Sequence, residues 1–349
     1  HGYDTDAESR TEGCSRMGEG LRKKKQKKGR KCFLLLMIIV LLSCTSGCSR
    51  KAETGKTQIA VVTKSTTSAF WKSVYAGARA ASTEYNVNVT FEGPNSEDDY
   101  ETQNELVQNA IDAKVDAIVF SAVDYNANAE VIDQAVQQGI KVVVIDSDVN
   151  STGVSCRIGT DNYVAGGMAG QAALNSDAEE LYVGIVNYGI NSANGQQREQ
   201  GCRDTLKEDS RVSEITTINV PSTMEDAREG TKQMLLSHPE INVVVTFNEW
   251  TSLGVGWAIR DMNKADQMHV VAFDSNVVSV GMLETGEVDA LIVQNPYAMG
   301  YLGIETAVNL VSNQPNVLEE VDTATTIVTK ENMYEPECQK ILFPFNENR

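Results

Sequence analysis

Two doubly wound parallel-sheet α/β domains are the fold class this chain predicts, and three observations lead there. Short, nearly continuous Val/Ile runs (QIAVV, AIVF, KVVVI, NVVVTF, HVVAF, ALIV) read as strands buried on both faces. Amphipathic stretches of helix length separate them, which is the alternation of a parallel sheet with crossover helices. The runs also fall into two successive sets of five, so one such domain follows another.

In the first set, QIAVVT (58–63) precedes a helix over 69–85, VNVTFEG one over 98–113 and AIVF one over 127–138, and KVVVID closes the set. After a short CRIG strand, TDNYVAGGMAGQAAL opens a new helix. In the second set, LYVGIVN leads to a helix over 195–208, EITTINV to 224–236, NVVVTF to 250–262 and HVVAF to 276–285, and DALIVQ follows. A last helix over 297–311 and a strand near 325–328 end the fold.

Four apolar runs stop at a polar side chain: KVVVI at Asp146, INVVVTF at Asn248 and Glu249, MHVVAF at Asp274, and ALIV at Gln294. Parallel sheets bind ligands beyond the carboxyl ends of their strands, so this placement predicts a ligand cleft. No glycine-rich phosphate loop follows any strand, which argues against a nucleotide-dependent enzyme.

The 349 residues leave about 300 for the fold once an N-terminal leader is set aside, enough for two ordinary domains. A hydrophobic content of 41% and a charged content of 22% are those of a soluble globular protein. The formal net charge of −18 disfavours a phosphate backbone as partner, and no nucleic acid is expected. The one strong basic cluster, Arg22 to Lys31, is followed by the apolar run Cys32 to Leu42. That run is too short for a comfortable membrane span but suits the core of a secretory signal peptide. LLSC, ending at Cys44, and TSGC, ending at Cys48, each look like the lipobox where bacterial lipoproteins are cleaved and acylated. Cys48 follows a small glycine and is preferred, with Cys44 as the alternative. Residues 1–16 precede the first methionine and lack leader character, so they are set outside the fold.

Beyond the leader, Cys156, Cys202 and Cys338 are widely spaced and form no CxxC pair. They predict burial as small apolar residues, with neither a zinc site nor a disulfide framework. His1, His238 and His269 have no metal-ligand spacing and no catalytic pairing. No cofactor, no metal and no catalytic group are expected.

The blocks VVTKSTTSAFWKSVYAGA, DAIVFSAVD, VVVID, GTDNYVAGGMAG, REQG, VVVTFNE, VVAFDS and VQNPYAMGYLGIETA run in an order that resembles the type I periplasmic sugar-binding proteins. These are the ribose-binding branch of ABC-transporter solute receptors. The resemblance covers nearly all of the chain after the leader. It implies two similar lobes joined by three crossovers, with the ligand between them. It divides the chain into a leader (1–48), a linker (49–56), an N-terminal lobe (57–160 plus 295–321) and a C-terminal lobe (161–294 plus 322–340).

Carried over position by position, the resemblance makes Phe70 and Trp71 the aromatic wall for the C–H face of a sugar ring. Ser121, Asp146, Arg198, Asn248, Asp274 and Gln294 become the polar groups, able to donate to and accept from hydroxyls on both ring edges. Other roles are open for several of them: Asp146, Asn248 and Asp274 could be helix N-caps, Arg198 a surface arginine, and Phe70 and Trp71 packing at a helix start. Ser68 and Ala69 stand where the family has Asn and Pro, and Ser147 where ribose receptors have arginine. Thr223 and Met224 replace a further aromatic wall, and Asp148 is either an added acceptor or a turn cap. The implied ligand is therefore a sugar or polyol rather than ribose in particular.

The function this implies is a monomeric, lipid-anchored extracytoplasmic receptor that delivers its ligand to an ABC permease by closing about 161–163, 294–296 and 319–323. A sensor for a membrane histidine kinase or chemoreceptor is the alternative within binding proteins. A cell-surface glycoside hydrolase is the alternative outside them. It is disfavoured because the candidate acids sit among amides and an arginine rather than as a spaced carboxylate pair.

Overall fold

The computed structural model describes residues 55–343; the leader and both lipobox cysteines lie outside them. Two six-stranded sheets carry the fold, in the orders β11-β5-β4-β3-β1-β2 and β12-β10-β9-β8-β6-β7. The first holds β1 (Gln58–Val62), β2 (Asn88–Glu92), β3 (Ala117–Phe120), β4 (Lys141–Ile145), β5 (Cys156–Gly159) and β11 (Glu320–Asp322). The second holds β6 (Leu181–Tyr188), β7 (Val212–Val220), β8 (Val243–Thr246), β9 (His269–Phe273), β10 (Ala290–Val293) and β12 (Thr326–Thr329). Every pairing is parallel except β10 with β12.

The Val/Ile runs behave as their composition requires. β3, β8 and β10 are buried at every residue, because helices cover both faces of each sheet. On the first sheet these are α1 (Ala69–Glu84), α2 (Tyr100–Asp112), α3 (Ala129–Gln137) and α9 (Pro296–Val311). On the second they are α4 (Asn162–Ala173), α5 (Ala193–Leu206), α6 (Met224–Ser237), α7 (Glu249–Asp261), α8 (Val277–Thr285) and α10 (Pro336–Leu342). β11 is one strand more than the sequence pattern offered; at three residues it is too short to register as an apolar run.

The backbone crosses between the sheets three times: after β5, between β10 and α9, and between β11 and β12. Each lobe has its own pair of apolar clusters. Ile59, Val119, Val143 and Met299 lie in one and Val62, Ile118, Phe120 and Ile132 in another, both in the first lobe. Val244, Val270, Leu291 and Val328 lie in a third and Val183, Ile185, Phe247 and Phe273 in a fourth, both in the second. Among the described residues none of these clusters spans the two lobes.

Helices flanking the cleft are seated by backbone contact. A Cβ at Gly77 would lie 2.0 Å from the Tyr297 carbonyl oxygen, and one at Gly300 would lie 1.9 Å from that of Val74, so α1 and α9 touch. In the second lobe a Cβ at Gly166 would meet the Arg198 carbonyl at 2.0 Å, and one at Gly201 that of Tyr163 at 2.0 Å, so α4 and α5 do the same. Relieving such an overlap means moving a helix, and forced overpacking of this kind costs about 1–3 kcal/mol. Gly166→Ala is expected to lower the thermal midpoint by several degrees while Gly281→Ala, which meets open space inside α8, raises it slightly through helix propensity. Equal midpoints in a calorimetric scan would show that the α4–α5 contact is not tight.

Candidate functional site

The carboxyl ends of the two sheets face one another and enclose a cavity of about 20 Å³, room for about one water. Its wall includes Phe70, Trp71, Asp146, Arg198, Asn248, Asp274 and Gln294. Of the site residues expected from sequence, Ser121 alone among the described ones is absent from that wall. Its buried hydroxyl donates to Asp146 Oδ2 at 2.8 Å, so it orients the carboxylate from behind. Lys64, Ser68, Glu97, Tyr188, Asn194 and Glu249 complete the wall.

Arg198 is central to the arrangement. It is 1% exposed, not a surface arginine. Its Nε donates to Asn162 Oδ1 (2.9 Å), Nη1 to the Phe247 carbonyl (2.7 Å) and Nη2 to Gln294 Oε1 (2.8 Å). The guanidinium lies 4.8 Å over the Phe273 ring and 4.0 Å from Asp146 Oδ1. Gln294 Oε1 also accepts from Thr160 Oγ1 (2.8 Å), and its amide donates to Asp274 Oδ1 (2.7 Å). One glutamine at a crossover therefore ties the first lobe to the arginine and to the aspartate of the second.

Asp146 and Asp274 close β4 and β9 in equivalent positions, and both have left-handed backbone, with φ of 60° and 67°. That conformation is uncommon outside glycine, and Asp is among the residues that tolerate it. Neither caps a helix; α8 is capped by Asn276. Asn248 does cap α7, accepting from Thr251 N at 2.9 Å, and its amide donates to Ser222 Oγ at 2.8 Å. It has the cap role and a place in the wall together.

Phe70 and Trp71 meet edge to face, with ring centroids 4.9 Å apart at 85°. Trp71 Nε1 donates to Glu97 Oε1 at 2.7 Å, which satisfies the indole and fixes its plane. Across the cleft Ser222 Oγ donates to Glu97 Oε2 (3.1 Å), and Ser222 N donates to Asp98 Oδ2 (2.8 Å). Ser222 thus bridges the two lobes beside the cavity, while Thr223 caps α6. Lys64, two residues beyond β1, donates to Ser192 Oγ (2.6 Å) and Asn194 Oδ1 (3.2 Å), and Asn194 Nδ2 donates to Asp146 Oδ1 (3.1 Å). Asp148 turns away and pairs with Arg157 at 2.8 Å.

The wall holds four carboxylates (Glu97, Asp146, Glu249, Asp274) against two cations (Lys64, Arg198). Burial pushes the Asp274 carboxyl up to about 7, with Arg198 and Gln294 opposing the rise. Crowding by protein also takes Glu97 to about 7, although Lys64, Trp71 and Ser222 oppose it. Burial lowers Lys64 and raises Tyr188. A groove of about 980 Å³ between the ends of α2 and α3 and the start of β4 is larger, but it lies at the amino ends of the strands, away from these charges. Among the described residues no cluster of His, Cys, Asp or Glu could hold a metal, and no helix is long and apolar enough to cross a membrane. The cysteines Cys156, Cys202 and Cys338 are free and buried.

Residues 59–315 match the family described as the periplasmic binding protein domain. A D-ribose/D-allose-binding protein of Pseudomonas aeruginosa is 27% identical over 84% of this chain and 97% of its own length. A carbohydrate-transporter solute-binding protein of Agrobacterium radiobacter in complex with D-arabinose superposes with a TM-score of 0.80. It is 29% identical and covers 83% of this chain and 100% of its own. An ABC-transporter solute-binding protein of Agrobacterium vitis with bound D-fucose gives 0.78 at 30% identity, over 82% and 99% of the two chains.

The raised carboxyls set a pH dependence. A carboxyl that titrates near 7 when buried and near 4 when hydrated binds more protons in the folded state between those values. Its contribution to stability is complete below about 4 and is lost as pH rises through about 7. The thermal midpoint of the ligand-free protein is expected to fall between about pH 5 and pH 8, and Asp274→Asn to flatten that fall. A midpoint that climbs over this range in differential scanning fluorimetry would contradict the assignment.

Proposed function

The chain belongs to the periplasmic binding protein domain family, and from that premise we propose that it captures an uncharged sugar in the cleft between its lobes and delivers it to an ABC importer. The observation that carries the reading is the composition of the cavity wall. An aromatic corner, Phe70 and Trp71, stands beside carboxylates, amides and one buried arginine drawn from both lobes. Aromatic faces cover the C–H surface of a sugar ring, and carboxylates accept its hydroxyl protons strongly. Asp274 has one oxygen bound to Gln294, and its other oxygen is the acceptor best suited to a ligand hydroxyl. Names borne by similar proteins agree with a sugar of five or six carbons: D-ribose, D-allose, D-arabinose and D-fucose.

The charge balance narrows the class. An anionic ligand would meet more carboxylates than cations, and Arg198 and Lys64 already spend donors on protein acceptors. Like charges in a desolvated cleft are costly, so sugar acids and sugar phosphates should be rejected. A cavity of about 20 Å³ must widen to admit any ring, which supports opening and closing of the lobes about the three crossovers. We also propose lobe boundaries at 160/161, 294/295 and just after Asp322, with the second lobe running on through Leu342, a monomer, and a lipid on Cys48 or Cys44 that holds the receptor beside its permease.

Thermal-shift titration tests the ligand class. D-ribose, D-allose, D-arabinose and D-fucose should include at least one that adds about 2.7 kcal/mol of stability at a hundredfold excess over its Kd, whereas D-glucuronate and ribose 5-phosphate add none. Asp274→Asn should weaken binding of that sugar by tenfold to over a hundredfold, the effect of losing a hydrogen bond worth about 1.5–3 kcal/mol to a charged group. Binding of the acids but not the neutral sugars would reverse the reading. Intact-mass measurement of membrane-extracted protein tests the anchor: a mature form beginning at Cys48 or Cys44 with added acyl mass is expected.

A further inference from the structure

The first turn of α1 leaves a specific account to settle. A helix has no internal partner for its first backbone N–H groups. Ser68, the N-cap, accepts from Trp71 N with its side chain. Those of Ala69 and Phe70 remain, and both are taken by a residue of the other lobe: Ala69 N donates to Glu249 Oε1 at 3.2 Å and Phe70 N to Glu249 Oε2 at 3.0 Å. Glu249 is 6% exposed and opens α7. Asn276, the N-cap of α8, holds it in place by donating Nδ2 to Oε1 at 3.0 Å while its own Oδ1 accepts from Val278 N and Ser279 N.

We infer that Glu249 is a positioning residue and the latch of lobe closure: its carboxylate completes the N-terminus of α1 from across the cleft and so sets the Phe70–Trp71 wall against the second lobe. Both partners need the contact. A buried carboxylate without donors is costly, and the positive end of a helix is the favoured place for a negative charge. When the lobes part, water replaces both, so the contact belongs to the shut form alone.

The rest of the seam is built in the same way. Lys64 reaches Ser192 and Asn194, Asn194 reaches Asp146, Ser222 reaches Glu97 and Asp98, and Tyr125 N donates to the Asn191 carbonyl at 2.9 Å. Protein groups therefore satisfy the seam by themselves, and the shut form is populated without sugar. Among these contacts Glu249 alone joins a charged side chain to two backbone N–H groups and to the element that carries the aromatic wall. The inference builds on the sugar-receptor reading but does not require a sugar for its test.

Distances between spin labels at Tyr100 and Leu236, one exposed position on each lobe, report closure in the intact protein. Glu249→Ala removes the acceptor. Ala69→Pro removes one donor without touching a side chain in the cavity, and proline is well accepted at the first position of a helix. Without sugar, the parent should show a short-distance population that each variant reduces at least threefold, and the double variant should reduce it little beyond either single one. With D-arabinose as probe, each variant should raise Kd about five- to tenfold, again without additivity. A parent with no short-distance population, or variants that match it, or effects that simply add, would overturn the latch. If the sugar-free distances behave as stated while none of the neutral sugars binds, the ligand class falls and the latch stands.

Discussion

The buried guanidinium of Arg198 is the constraint on which the cleft depends. A cation 1% exposed survives only if its donors are met, and here they are met by groups from separate parts of the chain: Asn162 on α4, the Phe247 carbonyl after β8, and Gln294 at a crossover. Each of these is thereby held at a fixed distance from the others. Gln294 in turn directs its amide to Asp274 and accepts from Thr160 of the first lobe. The arginine is itself placed by the α4–α5 contact, because Gly166 lets α4 rest on its backbone carbonyl. Helix packing and strand-end geometry are therefore one linked arrangement, and Arg198 fixes the shape of the cleft wall.

The layered architecture is legible in the sequence because a parallel strand covered on both faces can contain almost nothing but apolar residues. AIVF, VVVT and ALIV are buried without exception, and polarity returns only where the strand leaves the sheet. β11 escapes that logic. It is a three-residue edge strand, and only the central residue of Glu320–Asp322 is even partly buried, so it has no hydrophobic signature to read. It carries Asp322 into the first sheet, where Asp322 accepts from the backbone of Asp161.

The same rule explains which wall residues could be found. Asp146, Asp274 and Gln294 each follow a strand directly, Asn248 comes two residues after β8, and all four line the cavity. Extended to within two residues of a strand's end it also reaches Lys64 beyond β1 and Tyr188 at the last position of β6, both in the wall. Glu97 and Asn194 lie at no strand end, and no periodicity marks them. Ser121 shows the converse limit: it does follow β3, yet its short side chain stops at Asp146. Strand-end position identifies candidates, and side-chain reach decides among them. The unpaired hydroxyl of buried Ser147, next to Asp146, has no account in the contacts around it.

The return of the chain's last segments to earlier sheets bears on how the protein is made. The core of the first lobe includes Met299, Ile304 and Ala307 from α9, and that of the second includes Val328 and Leu342. The first core is not complete until residues 296–311 have left the ribosome, nor the second until 326–342 have, however early the first strands emerge. Domains that finish co-translationally fold from the N-terminus onward. Here neither lobe can be finished ahead of the other by much, because the segments that close both cores lie within the last fifty residues of the described chain.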